Sequence, residues 1–411
     1  MKKEVFDRFL TDGTLTVVDA DGSRRQFGSG TPSATMRINR SGTLPRILRN
    51  PELILGETYL AGEWDVTEGS LHDLLTILRT NLEHRAGRHP LARALALMLV
   101  PWNHLAASHR NVRHHYDLDE TLFRACLDAN MHYSCAYYRE ATMSLEEAQQ
   151  AKCDHIAAKL CLRPGLRVLD VGCGWGGLAM ELAERHDVTV KGITLSPEQL
   201  RVARSTARER GLDDRVRFEI QDYRQVDERF DRVVSVGMFE HVGRRHYGEF
   251  FAKVQNLLAD DGVALLHTIG ASGSPSAVNP WIARYIFPGG YIPSLSDVAP
   301  AVERAGLVTA DVEILRHHYA LTLAEWNRRF QQRRAEFAES KGEAFCRMWE
   351  FYLLASQTAF EVSDLVVHHW QLAKRNLSVP ITRDYLYASQ PHVEMPAASA
   401  SERISLKHNQ G

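Results

Sequence analysis

The stretch "RVLDVGCGWGGLAMELAERH", residues 167–186, limits what this chain can fold into more than any other. A short apolar run leads into Gly172, Gly174 and Gly176, and a helical pattern follows at once. Strand, glycine turn and helix in that order let the backbone come close to a ligand at the carboxyl edge of a strand. The alternation then continues. "VTVKGITL" reads as a strand, and "SPEQLRVARSTARERG" as a helix with Ser196 as N-cap and Pro197 at its first position. "VRFEI", "DRVVSVG" and "VALLHTIG" are further strands, with the helix "RHYGEFFAKVQNLLA" between the last two. Strands alternating with helices predict an α/β fold with a parallel, doubly wound, Rossmann-like sheet.

Two cofactor classes use such a turn. A dinucleotide site needs GxGxxG, which Gly172, Gly174 and Gly177 meet loosely. It also needs an acid at the end of the second strand for the ribose. That position is Thr194. The acid lies before the turn instead, at Asp170, which suits enzymes that use S-adenosylmethionine (SAM).

A chain of 411 residues is long for one core, so two domains are expected. Residues 1–85 read as a small α+β domain. "GTLTVVDADGSRRQFG" is a hairpin pattern, "PELILGETYLAGEW" a helix with a glycine stop. "SLHDLLTILRT" is a helix with Ser70 as N-cap and one apolar stripe of Leu71, Leu74, Leu75 and Leu78. Residues 86–119 form the expected linker, 120–390 the catalytic domain, and 391–411 a polar tail expected to be disordered. After residue 320, "LTLAEWNRRFQQRRAEFAES" and the whole of 342–375 read as long helices, giving helical C-terminal additions.

A formal net charge of −2 gives no global pull toward nucleic acid, so no nucleic-acid partner is expected. The six cysteines show no CxxC pairing, so neither a zinc site nor a disulfide framework is expected. Adjacent histidine pairs at 114–115, 317–318 and 368–369 point apart on a helix or strand and are poor chelates, so no metal is expected. The start lacks a signal-peptide pattern, and "ALALMLVPW" is too short to span a bilayer. The chain therefore reads as cytoplasmic.

"VLDVGCGWGGLA", "GITLSPEQ", "QDYR", "VSVGMFEHVG", "LLHTIG" and "WIARYIFPGG" together resemble the cyclopropane-fatty-acyl-phospholipid synthases, in the wider mycolic acid and cyclopropane synthase family. "HYDLDETLF" and "MHYSCAYY" match as well. The resemblance runs from roughly residue 30 to 375 and includes a leader that the shorter mycolic-acid-modifying relatives lack. It implies a class I SAM-methyltransferase sheet. It implies that Tyr133 and Ser134 close over SAM, with Gly172 and Gly174 from the turn, Thr194 and Gln199 after the second strand, and Tyr223 and Arg224 after the third. Asp170 precedes the turn, and Asp222 or its neighbours would sit near the adenine edge.

The implied reaction adds a methylene across a cis double bond of a phospholipid acyl chain. It needs a dry pocket that tolerates a carbocation, and a group that takes a proton there. From spacing alone either Glu240 or His267 is a candidate base, each at the end of a strand facing the cofactor crevice. The resemblance implies a bound bicarbonate as the proton acceptor, held by the side chains of Cys135, Glu240, His267 and Tyr319 and the backbone of Ile269. Where several synthases carry a cysteine in the C-terminal helix, this chain has Ser356, so a thiol nucleophile there is not expected. Trp281, Tyr285, Phe287, Tyr291, Tyr137 and Phe239 are candidates for the acyl pocket. The expected partners are an unsaturated phospholipid and the inner face of a membrane, visited peripherally. The leader, through "SLHDLLTILRT" and "ALALMLVPW", is the candidate for docking and for homodimerisation. The alternative is a SAM-dependent C-methyltransferase or methylene-adding enzyme on the same lipids.

Overall fold

The parallel strands read from the sequence are strands of one sheet. The computed structural model describes residues 10–86, 120–273, 275 and 278–387. Its first sheet has four strands: β1 (Gly13–Val18), β2 (Arg24–Ser29), β3 (Ser33–Ile38) and β4 (Trp64–Glu68), in the order β2-β1-β3-β4. β1 and β2 form the expected hairpin, closed by Asp19 N–H to the Ser23 carbonyl at 2.9 Å. Helices α1 (Thr43–Arg49) and α2 (Pro51–Leu60) join β3 to β4, and α3 (Leu71–Ala86) follows. Ser70 and Asp73 cap α3 reciprocally, with Asp73 N–H donating to Ser70 Oγ at 3.0 Å and Ser70 N–H to Asp73 Oδ2 at 2.9 Å.

The α3 stripe turns inward. Leu71, Leu74, Leu75 and Ile77 are buried, and the helix packs on β1, β3 and a C-terminal helix. This corrects the expectation that the stripe offers itself to a membrane: the small sheet needs that apolar face to cover its own. The companion stretch at 94–102, with the linker and the tail, lies outside the described residues.

The second sheet follows α4 (Glu120–Cys126) and α5 (Leu145–Lys159). Its elements are β5 (Arg167–Val171), α6 (Gly177–His186), β6 (Thr189–Thr194), α7 (Pro197–Glu209), β7 (Val216–Ile220), β8 (Phe230–Val236), α8 (Tyr247–Leu257) and β9 (Leu258–Ala271). Then come α9 (Pro280–Tyr285), α10 (Leu295–Arg304), β10 (Val308–Leu315), α11 (His318–Lys341), α12 (Glu343–Val362) and β11 (Leu365–Ala373). The order is β10-β11-β9-β8-β5-β6-β7, and β11 alone runs antiparallel to its neighbours. The chain steps outward from β5 to β6 and β7, then returns to β8 on the other side. That reversal opens a crevice at the carboxyl ends of β5 and β8. No helix among the described residues is long and apolar enough to cross a membrane.

One element departs from the sequence reading. Residues 365–373, read as the end of a long helix, form β11, and β10 with α10 was not read at all. β11 lies between β9 and β10 and is buried on both faces, so its sequence lacks the alternation that marks a half-exposed strand.

By internal contacts the chain divides between Val379 and Pro380. The described part of the second unit, residues 380–387, contains one 3-10 turn at Asp384–Leu386.

Candidate active site

The glycine turn builds the first wall. Gly172 has φ +83°, and a Cβ there would sit 2.8 Å from the Met238 side chain. Gly174 has φ +54° and would meet nothing within 4 Å, so its backbone borders open space. All ten residues expected at the cofactor line this one cleft: Tyr133, Ser134, Asp170, Gly172, Gly174, Thr194, Gln199, Asp222, Tyr223 and Arg224.

Each is held by local structure. Thr194 Oγ1 donates to Gln199 Oε1 at 2.8 Å and accepts Ser196 N–H at 3.1 Å, so it braces the start of α7 while facing the cleft. Asp222 takes the Arg224 guanidinium through two bonds, at 2.8 and 2.7 Å. Over this floor lies the segment 131–138. Gln149 of α5 donates to the Ser134 carbonyl at 3.0 Å, and Tyr137 N–H to the Ala148 carbonyl at 3.0 Å. Ala136 N–H donates to Thr322 Oγ1 of α11 at 3.1 Å. The Tyr133 ring stacks on Trp326 at 5.1 Å, and its hydroxyl meets that of Tyr352 at 2.9 Å.

Beneath the cleft is a charged layer that the sequence reading missed, apart from Asp170. Lys152 is buried and donates to Ser134 Oγ at 3.1 Å. His132 Nδ1 pairs with Asp128 Oδ2 at 2.8 Å. Burial and Lys152 oppose the His132 charge, but Cys153 and Asp128 raise its pKa to about 9. Burial drives Asp170 up to about 7 against the pull of Lys152 and His132, and its Oδ2 has no hydrogen-bond partner. The available signal was the polar series Lys152, His155 and Lys159 along the inner face of an otherwise Ala-rich helix.

The second expected set comes from different elements: Cys135 from the segment 131–138, Glu240 from just after β8, His267 and Ile269 from β9, and Tyr319 from the first turn of α11. Glu240 Oε1 accepts Ile269 N–H at 2.6 Å, while its Oε2 is buried without a partner. Burial raises Glu240 to about 7 despite that bond. Ile269 thus gives its amide to Glu240, and acts on the site through that carboxylate. His267 Nδ1 meets His369 Nε2 at 2.7 Å, and burial with Lys152 and Lys159 lowers His267 to about 3. Cys135 is fully buried, its thiol pushed well above its ordinary value by desolvation and bonded to the Ala136 carbonyl at 3.3 Å. Such a thiol is a poor nucleophile. Tyr319 lies in the same core, its ring 4.8 Å from Phe360 and 5.9 Å from Trp326. A ladder of rings joins these parts: His369 to His155 at 5.8 Å, His155 to Tyr137 at 4.4 Å, Tyr137 to His318 at 5.1 Å.

His368 and His369 do point apart. His369 faces His267, whereas a Cβ on Gly270 would lie 2.3 Å from the His368 ring. Three non-adjacent groups converge, however: His155, Glu313 and His369 bring ligand atoms within 4.8 Å of one another. The Lys159 ammonium sits 2.7 Å from Glu313 and supplies the positive charge there. Of the aromatic candidates, Phe239 and Tyr291 pack with the core around α8, Tyr291 bonding Asp297 at 3.0 Å. Trp281, Tyr285, Phe287 and Tyr137 belong to the other core, beside Tyr319 and Tyr352.

The family described as mycolic acid cyclopropane synthetase matches residues 103–370. The chain belongs to that family. A domain of unknown function matches residues 2–86. The cyclopropane-fatty-acyl-phospholipid synthase of Escherichia coli (strain K12) is 40% identical over 346 residues, covering 84% of this chain and 88% of that protein. The tuberculostearic acid methyltransferase of Mycobacterium tuberculosis is 35% identical, covering 89% of each. Among solved structures, the mycolic acid cyclopropane synthase CmaA1 complexed with SAH and CTAB is 35% identical, with TM-score 0.60 over 64% of this chain and 98% of that one. The family's fold, a class I SAM-methyltransferase sheet, is the one described above.

Proposed function

We propose that the protein is a SAM-dependent synthase that adds a methylene across a cis double bond of an unsaturated phospholipid acyl chain, closing a cyclopropane ring. Membership of the family supports the use of SAM and an unsaturated lipid chain. The single observation that favours ring closure is Glu240: a carboxyl held by the Ile269 amide, with its second oxygen buried and unpartnered. A ring-forming enzyme must remove a proton from the newly added carbon in a dry site.

SAM would lie along the ten cleft residues and supplies an electrophilic methyl group. The unpartnered Asp170 Oδ2 and the open space at Gly174 fit such a ligand. Bicarbonate supplies the proton acceptor. Glu240 Oε2, buried and without a partner, would accept its O–H, and His267 and Tyr319 would be its donors. Cys135 would join them with an un-ionised thiol. Tyr137, Trp281, Tyr285 and Phe287 provide the aromatic faces toward the positive charge that develops. Turnover should fall at least tenfold in carbonate-free buffer and return on adding bicarbonate, with SAH affinity unchanged. Unaltered turnover after rigorous removal would overturn the bicarbonate role.

The lipid substrate implies work at a membrane surface, from the cytoplasmic side, and no helix among the described residues could span it. The apolar stretch at 94–102 is the sequence's docking candidate, and a homodimer is the proposed assembly. A methyl- or methylene-branching product on the same lipids is the second reading. It is supported by likeness to the tuberculostearic acid methyltransferase.

A further inference from the structure

We propose that His369 is a positioning residue for the proton-acceptor site: its Nε2–H donates to His267 Nδ1 and so holds His267 in the neutral tautomer that keeps its one hydrogen on Nε2. The proposal rests on the bicarbonate reading of Cys135, Glu240, His267 and Tyr319 and deepens it, since a donor role for His267 needs that hydrogen.

His267 on β9 and His369 on β11 stand directly opposite each other in the sheet. His267 Nδ1 and His369 Nε2 are 2.7 Å apart, and the ring centres 4.6 Å apart. The two residues are 2% and 0% exposed. Burial is the first cause that holds both rings neutral. Lys152 and Lys159 add to it at His267, and the charges of His267 and Lys159 add to it at His369. Two neutral imidazoles share a single hydrogen across such a bond, so two arrangements exist. Either His369 donates and His267 keeps Nε2–H, or His267 donates from Nδ1 and its Nε2 is a bare acceptor.

The second arrangement puts the remaining hydrogen of His369 on Nδ1. That nitrogen is buried and has no partner. Glu313 stands opposite His369 across β10 and β11, but its carboxylate bonds His155 at 2.6 Å and Lys159 at 2.7 Å and makes no bond to that nitrogen. An N–H there would be a stranded donor, and the positive charge of Lys159, which acts on this ring, would repel it. A bare lone pair is attracted by the same charge. The choice of partner also matters. A carboxylate or carbonyl beside Nδ1, the common arrangement, would accept from it and leave Nε2 bare, as a general base requires. A histidine that donates instead makes His267 a donor to an anion.

The test reads the tautomer directly. Nitrogen NMR of protein carrying isotope-labelled histidine, with His267→Asn to assign the signals, should show His267 with its hydrogen on Nε2 and a bare Nδ1. His369→Gln, whose amide nitrogen takes the place of Nε2, should keep that tautomer. Its bicarbonate concentration for half-maximal turnover should stay within about threefold of wild type. His369→Leu removes the donor and should raise that concentration at least about tenfold, with S-adenosylhomocysteine affinity unchanged. Wild-type His267 with its hydrogen on Nδ1 would overturn the proposal. So would equal bicarbonate requirements in wild type and His369→Leu, or an equal rise in both variants, which would mark a residue that only fills space. Should the leucine variant not fold, the wild-type tautomer and the glutamine variant still decide. Turnover that needs no bicarbonate, in protein with the expected tautomer, would overturn the bicarbonate reading and leave the His267–His369 assignment standing.

Discussion

Glu240 and Asp170 are carboxyls lifted to about 7 by the same cause, loss of water, in different surroundings. Glu240 faces the Ile269 amide and the Tyr247 phenol, and in the proposed reaction its ionised form would accept the bicarbonate O–H. Turnover at saturating SAM should therefore rise as pH climbs through about 7, and Glu240→Gln should remove that limb and at least about 100-fold of kcat. A pH profile of kcat checks both. Asp170 faces Lys152, His132 and the Cys173 thiol. Its folded pKa is raised above the ordinary 3.8, so its ionisation costs stability as pH rises from about 4 to about 7. Without ligand, Asp170→Asn should stabilise the protein by a few kcal/mol at pH 8 and by distinctly less at pH 5. Denaturant titrations at the two pH values read this. Equal gains at both would place the cause elsewhere.

At the scale of elements, α5 explains what was legible and what was not. Its start was not read from the sequence, although Ser144 and Glu147 form a capping box there. Its work is done by Gln149, Lys152, His155 and Lys159, which face inward and look, in one sequence, like a solvated face interrupting an alanine stripe. The glycine turn was readable because Gly172 and Gly174 must take positive φ, which no periodicity is needed to find. The same local logic found Ser196 and Pro197. β11 was not readable, because burial of both faces erases the period-two signal, and with it went the pairing of His369 to His267. Apart from those already implied by family likeness, the site residues that escaped are those placed by partners distant in sequence.

At the scale of the whole molecule, the small sheet is bound to the catalytic sheet's additions through α12. Arg347 reaches the carbonyls of Tyr59 and Trp64 at 2.6 and 2.8 Å and the Asp65 carboxylate at 2.8 Å, with its guanidinium 4.0 Å over the Tyr59 ring. His72 meets Glu361 at 2.7 Å, and α2 comes so close to α9 and α12 that a Cβ on Gly56 would lie 2.5 Å from Trp281. α12 also carries Tyr352, whose hydroxyl meets that of Tyr133 in the segment 131–138. The leader therefore packs on the same helix that carries the hydroxyl partner of Tyr133. Arg347→Ala, leaving buried carbonyls and a carboxylate short of donors, should cost about 2–4 kcal/mol in urea unfolding. A loss under half a kcal/mol would show that this junction contributes little.

The central claim is a ring-forming transfer to an unsaturated phospholipid chain, and its most direct test is the product. The protein is expressed in a host without this activity, and the membrane phospholipids are analysed by mass spectrometry with fragmentation across the former double bond. The account predicts acyl chains heavier by one CH2 group, with no remaining double bond and the new carbon bonded to both former alkene carbons. A chain that gains the carbon as a methyl or methylene branch, or lipids unchanged in the presence of folded, SAM-binding protein, would contradict it.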